Sequence, residues 1–145
     1  MSDLFDPQVR GQFRDRLLHL EPDAQAKWGS LTAPRMVAHL IDAFEIGFGE
    51  KAVTVRGPLA NPIGRWLVLR MPIPRGKLKA PPEFHECEPG EFAADRDRVL
   101  AYLDRFAAGP EQQWGPSPFL GRMSGQQWAR LHAKHLEHHL TQFGV

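Results

Sequence analysis

The chain has 145 residues, with 18 Lys and Arg against 17 Asp and Glu and a single cysteine. That length suits one domain spanning 1–145 with an ordinary core. The near-balance of charge points away from nucleic acid or a membrane as partner, and the lone Cys87 excludes an internal disulfide, so a reducing cytoplasm is expected. The longest apolar run, WLVL at 66–69, is far short of the roughly 20 residues a spanning helix needs. The opening MSDLFDPQ lacks the basic-then-apolar pattern of a secretory signal. FHECEPG offers Cys87 no helix N-terminus to lower its pKa, so the thiol reads as unactivated.

Asp6-Pro7 reads as an N-cap followed by Pro at the first helical position. Val9, Phe13 and Leu17 then recur at helical spacing, which predicts a first helix ending near Leu20, ahead of Pro22. Thr32 caps a second helix with Pro34 in its first turn. Met36, Val37, Leu40, Ile41, Phe44 and Phe48 give that helix a wide apolar face, and Gly47 and Gly49 end it. Prolines at 58, 62, 72, 74, 81, 82 and 89 make the next stretch a long crossover with room for a short helix in NPIGRWLVLRM. KAVTVRG at 51–57 is the single strand candidate. A third long helix is expected from about Gly90 to Ala108, with Phe92, Val99, Leu100, Leu103 and Phe106 inward. Ser124 and Gln127 have capping-box spacing and open the last. Four helices with one Pro-rich crossover between the second and third predict an all-α four-helix bundle.

The last helix carries HAKHLEHH, four of the seven histidines. At about 100° per residue, His135 and His139 fall between Leu131 and Phe143 on either side of Trp128, while Arg130, Lys134, Glu137 and Thr141 lie opposite. Two imidazoles in the middle of an apolar face need a partner, because an unpaired buried ring costs about 1–3 kcal/mol. Four residues apart, they can converge on one ion at roughly 2.1 Å. The competing reading is a packed, mutually hydrogen-bonded pair in a polar core. His132 faces inward one turn lower, and His138 stands on the flank as a supporting donor or interface residue. Position 136 is Leu, so the HExxH protease pattern is absent. A further ligand must come from another helix, and His39 at the edge of the second helix's apolar face is best placed. Asp42 and Glu45 lie further round toward solvent, while His19 at the first helix's end and His85 in the crossover read as structural.

Two stretches, WGSLTAPRMVAHLIDA and FLGRMSGQQWARLHAKHLEHHLTQFG, together resemble the DinB-like (YfiT-like) metal-binding helical-bundle superfamily, on a branch of unknown function. The resemblance rests on W-G-x-L-T-A-P-x-M-x-x-H and K-H-x-x-H-H-x-x-Q-F-G and covers nearly the whole chain. It implies an up-down-down-up bundle and a divalent metal, commonly zinc or nickel, held by His39, His135 and His139. Ser117 stands before Pro118, where such relatives often have His. It also implies thiol-dependent transferases, hydrolases or isomerases as relatives. The expected function is therefore a metal-dependent enzyme activating a low-molecular-weight thiol or a water toward a small-molecule substrate. Trp66 and Trp114 are pocket candidates, and the alternative is a non-catalytic metal-binding bundle, alone or as a homodimer, that acts as a ligand-binding or interaction module.

Overall fold

The computed structural model describes residues 2–76 and 79–145; Lys77 and Leu78, within the expected crossover, lie outside the described residues. The described residues are helical and irregular, with five α-helices: α1 Pro7–His19, α2 Ala33–Gly47, α3 Pro62–Arg70, α4 Phe92–Arg105 and α5 Gly125–Gln142. Two 3-10 turns, Pro82–His85 and Phe106–Ala108, complete them. No strand forms at 51–57; among the described residues one isolated β-bridge pairs Ser117 with Gly121. No helix among the described residues is long and apolar enough to cross a membrane.

Each long helix starts where its cap dictates. The Asp6 carboxylate accepts from the Gln8 amide, and the Thr32 hydroxyl from the Arg35 amide. Ser124 accepts from the Gln127 amide while the Gln127 side chain accepts from the Ser124 amide, a complete capping box. The crossover's short helix is real for the same reason: Asn61 caps it by accepting from the Gly64 amide, and Pro62 takes the first position.

Helix α2 lies at the centre. It touches α4, α5 and the Pro82–His85 turn, and 12 of its residues are buried. This explains a helix apolar on nearly every side. Leu4, Phe13, Leu17, Met36, Leu40, Phe44, Val99, Leu103, Phe106, Leu136 and Leu140 form the main core. A second cluster, with Ile46, Phe84, Leu120, Met123 and Trp128, lies on the other side of α2. Phe92 is only half-buried, at the rim of α4.

Two sequence expectations are corrected here. The buried face of α5 centres on Leu136, with Ala129, His132, Ala133 and Leu140 beside it, while Leu131 is half-buried. His135, half-buried, therefore stands at the edge of that face and not in its middle, while His139 stays within it between the buried Trp128 and His132. Trp128 and Phe143 pulled the expected face toward themselves, whereas the small Ala129 and Ala133 let the neighbouring helices come close. Asp42 is not turned toward solvent either: it is fully buried. Its carboxylate pairs with Lys51 and accepts from the Cys87 amide at 2.9 Å. Asp42 thus fastens α2 to the end of the crossover.

Candidate metal centre

Three rings from two helices converge at the α2–α5 edge. The ligand-capable nitrogens of His39, His135 and His139 all lie within 4.8 Å of one another. His39 and His139 are buried, and His135 is half-buried, so the cluster sits just below the surface. The rings meet nearly edge to face: centroids are 4.8 Å apart for His39–His135, 4.9 Å for His39–His139 and 4.6 Å for His135–His139.

The hydrogen bonds behind the rings decide which nitrogen faces the centre. His39 Nδ1 lies 2.8 Å from the Phe84 carbonyl, which can only accept, so Nδ1 carries the proton and Nε2 presents a lone pair. His139 Nδ1 lies 2.8 Å from Gln142 Oε1. The Gln142 amide donates to the Trp28 carbonyl at 2.9 Å, which forces its oxygen toward the ring. A backbone carbonyl thus fixes each tautomer, directly for His39 and through one amide for His139. Such supporting acceptors hold the rings of a metal site in register.

His135 completes the set differently. Its Nε2 lies 2.9 Å from His39 Nε2. Since His39 Nε2 has no proton to give, His135 Nε2–H donates across the pair, and its proton must move to Nδ1 or leave for a cation to bind. Two nitrogens bonded at about 2.1 Å to a tetrahedral ion sit about 3.4 Å apart. The pair would therefore open by about half an ångström, a small ring rotation. The donor set fits a divalent ion with affinity for imidazole. Burial supplies the electrostatic condition as well. It lowers the pKa of His39, takes His135 well down and brings His139 to about 3, each reinforced by neighbouring imidazoles. All three shifts favour the neutral ring, the form in which an imidazole can ligate a cation.

The mouth is lined by rings that sequence reasoning placed elsewhere or left unassigned. His85 is exposed but stacks on His39 at 5.2 Å with 19° between planes, so it is a neighbour of the centre and not only a crossover residue. His138 meets His139 at 5.0 Å and Trp28 at 5.5 Å. The Arg75 guanidinium lies over Trp28, 4.3 Å from its ring centroid. Burial and the Arg75 charge both lower the pKa of His138. Trp28, Gln142 and Arg75 could have been read only partly from sequence: W-G and Q-F-G flank the histidines, but nothing marks a backbone carbonyl as a partner.

The other candidates lie apart from this cluster. His132 is sandwiched between Phe44 at 4.5 Å and Trp128 at 5.1 Å, and its buried Nε2 has no hydrogen-bond partner among the described residues. Gly47 explains how it fits, since a Cβ there would stand 2.5 Å from that nitrogen. Trp114 stacks on Phe48 and donates to the Pro110 carbonyl, within the aromatic part of the core. Trp66 projects from α3, 54% exposed, with Arg70 over its ring. Neither indole stacks on the three histidines. Ser117 is fully buried and accepts from the Leu120 amide, closing a turn. His19 is exposed and binds the Asp15 carbonyl on its own helix. Cys87 is half-buried, and burial with the Asp42 charge raises its pKa, the setting of an unactivated thiol.

Gln142 offers a direct check on the tautomer argument. Gln142→Leu leaves all three rings in place but removes the acceptor for His139 Nδ1. Metal affinity, measured by competition with a chromogenic chelator, is expected to fall by about 10–100-fold.

No curated protein and no solved structure matches the chain. One family model does, over residues 15–144, which takes in His39, His135, His139 and the two groups that orient them. On that match the chain belongs to the family described as Protein of unknown function (DUF1569).

Proposed function

We propose that His39, His135 and His139 hold one divalent cation, zinc or nickel, and that the protein is an enzyme acting on a small molecule at that ion. The observation that carries the reading is the paired orientation of His39 and His139. Each has its Nδ1 committed to an acceptor and its Nε2 turned to the same point. A packed histidine pair needs no such convergence. The likeness of the two histidine stretches to DinB-like proteins supports the same reading, and with it an up-down-down-up arrangement of α1, α2, α4 and α5.

Three imidazoles leave coordination positions for water or substrate. Held by His39, His135 and His139, a divalent ion would supply Lewis acidity that lowers the pKa of a thiol or water near neutral pH. The chain's own groups do the rest. Phe84 and the Gln142–Trp28 pair keep two rings in one tautomer, burial keeps all three unprotonated, and the half-buried His135 leaves an approach from the surface. The rings of His85, His138 and Trp28 frame that approach, beside the Arg75 charge. A low-molecular-weight thiol transferred to an electrophile is the reaction class favoured here. A non-catalytic metal-binding module is the second reading, favoured by the burial of His39 and His139, which leaves only His135 of the three half-exposed.

The test is the metal content of protein purified without a histidine tag. Stoichiometric zinc or nickel is expected, and His39→Ala and His135→Ala should each weaken binding by more than the roughly 100-fold upper range of a supporting-residue change. Absence of stoichiometric metal, with melting indifferent to chelator, removes the basis of the proposal. With metal present, turnover of an electrophile with one of a panel of thiols would support the transferase reading. Failure with every thiol and every ester or amide tried would favour the binding module.

A further inference from the structure

The whole-chain charge balance hides two opposite regions. Residues 51–80 contain seven Lys and Arg and no Asp or Glu, whereas the other 115 residues carry 11 cations and 17 anions. Lys51 is tied to Asp42 and Glu86, and Arg56 to Glu83. Arg65, Arg70, Arg75 and Lys79 have no carboxylate partner among the described residues.

The same stretch holds most of the exposed apolar surface. Of the seven large apolar side chains exposed among the described residues, six fall between 55 and 71: Val55, Leu59, Ile63, Trp66, Leu67 and Met71. On α3 the spacing of Ile63, Trp66, Leu67, Arg70 and Met71 is that of a single helix face, and it is the outward one. Ile63 is 72% exposed, whereas Gly64 and Leu69 turn inward. A soluble helix ordinarily reverses this order. Here apolar groups with an interfacial tryptophan point outward among unpaired cations, the composition of a segment lying in a membrane interface.

We propose that this face, α3 together with Val55 and Leu59 before it and Arg75 and Lys79 after it, rests on an anionic lipid bilayer. Trp66, Ile63 and Met71 enter the headgroup boundary, and the cations meet lipid phosphates. Charge selects this occupant. Pairing the same face of two copies would bring both sets of unpaired cations together, and phosphates of a nucleic acid would leave the aliphatic residues without a role. The proposal departs, for this segment, from the expectation of no membrane partner drawn from total charge. The proposal does not depend on the metal centre.

The experiment is co-sedimentation with vesicles of phosphatidylcholine, with and without about a third phosphatidylglycerol. Binding to the anionic vesicles alone is expected. It should vanish near 0.5 M salt, where the screening length falls below about 5 Å. Two double variants separate the contributions. Ile63→Ser/Trp66→Ser should lower partitioning by about tenfold or more, and Arg70→Glu/Lys79→Glu by more than about tenfold. All four side chains are exposed, so melting and metal content should match wild type. No binding to anionic vesicles at low salt, or binding unchanged in both double variants, would overturn the proposal. So would a wild-type dimer abolished by Ile63→Ser/Trp66→Ser, which assigns the face to a second copy. Tighter, salt-sensitive binding to DNA, indifferent to Ile63→Ser/Trp66→Ser, would assign the cations to nucleic acid.

Discussion

Asp42→Ala is expected to lower stability by about 3 kcal/mol, at the lower end of the range for breaking a buried ion pair. Asp42 is fully buried, Lys51 keeps 15% of its side-chain exposure, and Glu86 remains 3.3 Å from the ammonium as a substitute partner. That substitute keeps the cost from the top of the range. For a chain of this size the melting temperature should fall by about 6–12 °C. Removing Lys51 instead, as Lys51→Met, leaves a carboxylate at zero exposure with only the Cys87 amide, and should cost at least as much. The double variant should cost less than the two single changes added together, which a thermal-melt cycle would read as the coupling of the pair. The second consequence reaches the metal centre. Lys51 also donates to the Glu83 carbonyl, and the Cys87 amide to Asp42, so the Asp42 cluster clasps both ends of the turn carrying the Phe84 carbonyl. Asp42→Ala should therefore weaken metal binding as well as folding, though it touches no ligand.

Acid should unfold the metal-free protein steeply, and His132 is one identifiable source. The ring is fully buried among Phe44, Trp128 and Phe106, and burial alone takes its pKa from 6.5 to about 3. The unfolded chain takes up a proton there near the ordinary value; the folded chain does so only near the lower one. The stability associated with the neutral ring is thus fully present above about 6.5 and is lost as pH falls toward about 3. Each pH unit in that window removes about 1.4 kcal/mol for this one site. His132→Leu abolishes the term. At neutral pH the change should lie within about 1 kcal/mol, because losing two stacking contacts offsets relief of an unpartnered nitrogen. Urea midpoints at pH 7, 6 and 5 in chelator should converge on, then cross, those of wild type. Parallel curves would show that His132 does not titrate on unfolding.

How much of this was legible in the sequence depends on which interactions are local. The caps Asp6, Thr32 and Ser124 act within three residues, and the starts of α1, α2 and α5 were readable from them. Apolar spacing gave the long helices, because periodicity is a property of one segment. The face of α5 was misjudged because burial depends on what packs opposite, and alanines at close contacts carry little weight in a count of bulky residues. The histidine pair at 135 and 139 was suggested by spacing. His39 was favoured as their partner from its place at the edge of the second helix's apolar face; the family likeness implied the full trio, and the structure brings His39 beside them across 96 residues. The carbonyl supports of the rings were not legible. Phe84 and Trp28 contribute carbonyl oxygens, which every residue possesses. Asp42 looked like a surface acid because its partner Lys51 lies nine residues on, past the helix end.

Lys134 donates to the Val68 carbonyl at 2.6 Å and also to that of Met71, closing the C-terminal end of α3 against α5. One peptide bond separates it from His135. The outward helix and the inner rings thereby share a mechanical anchor. A force that tilts α3 is delivered to the backbone of α5 at the residue preceding a ligand-bearing ring, and a ring reoriented there pulls back on the same ammonium.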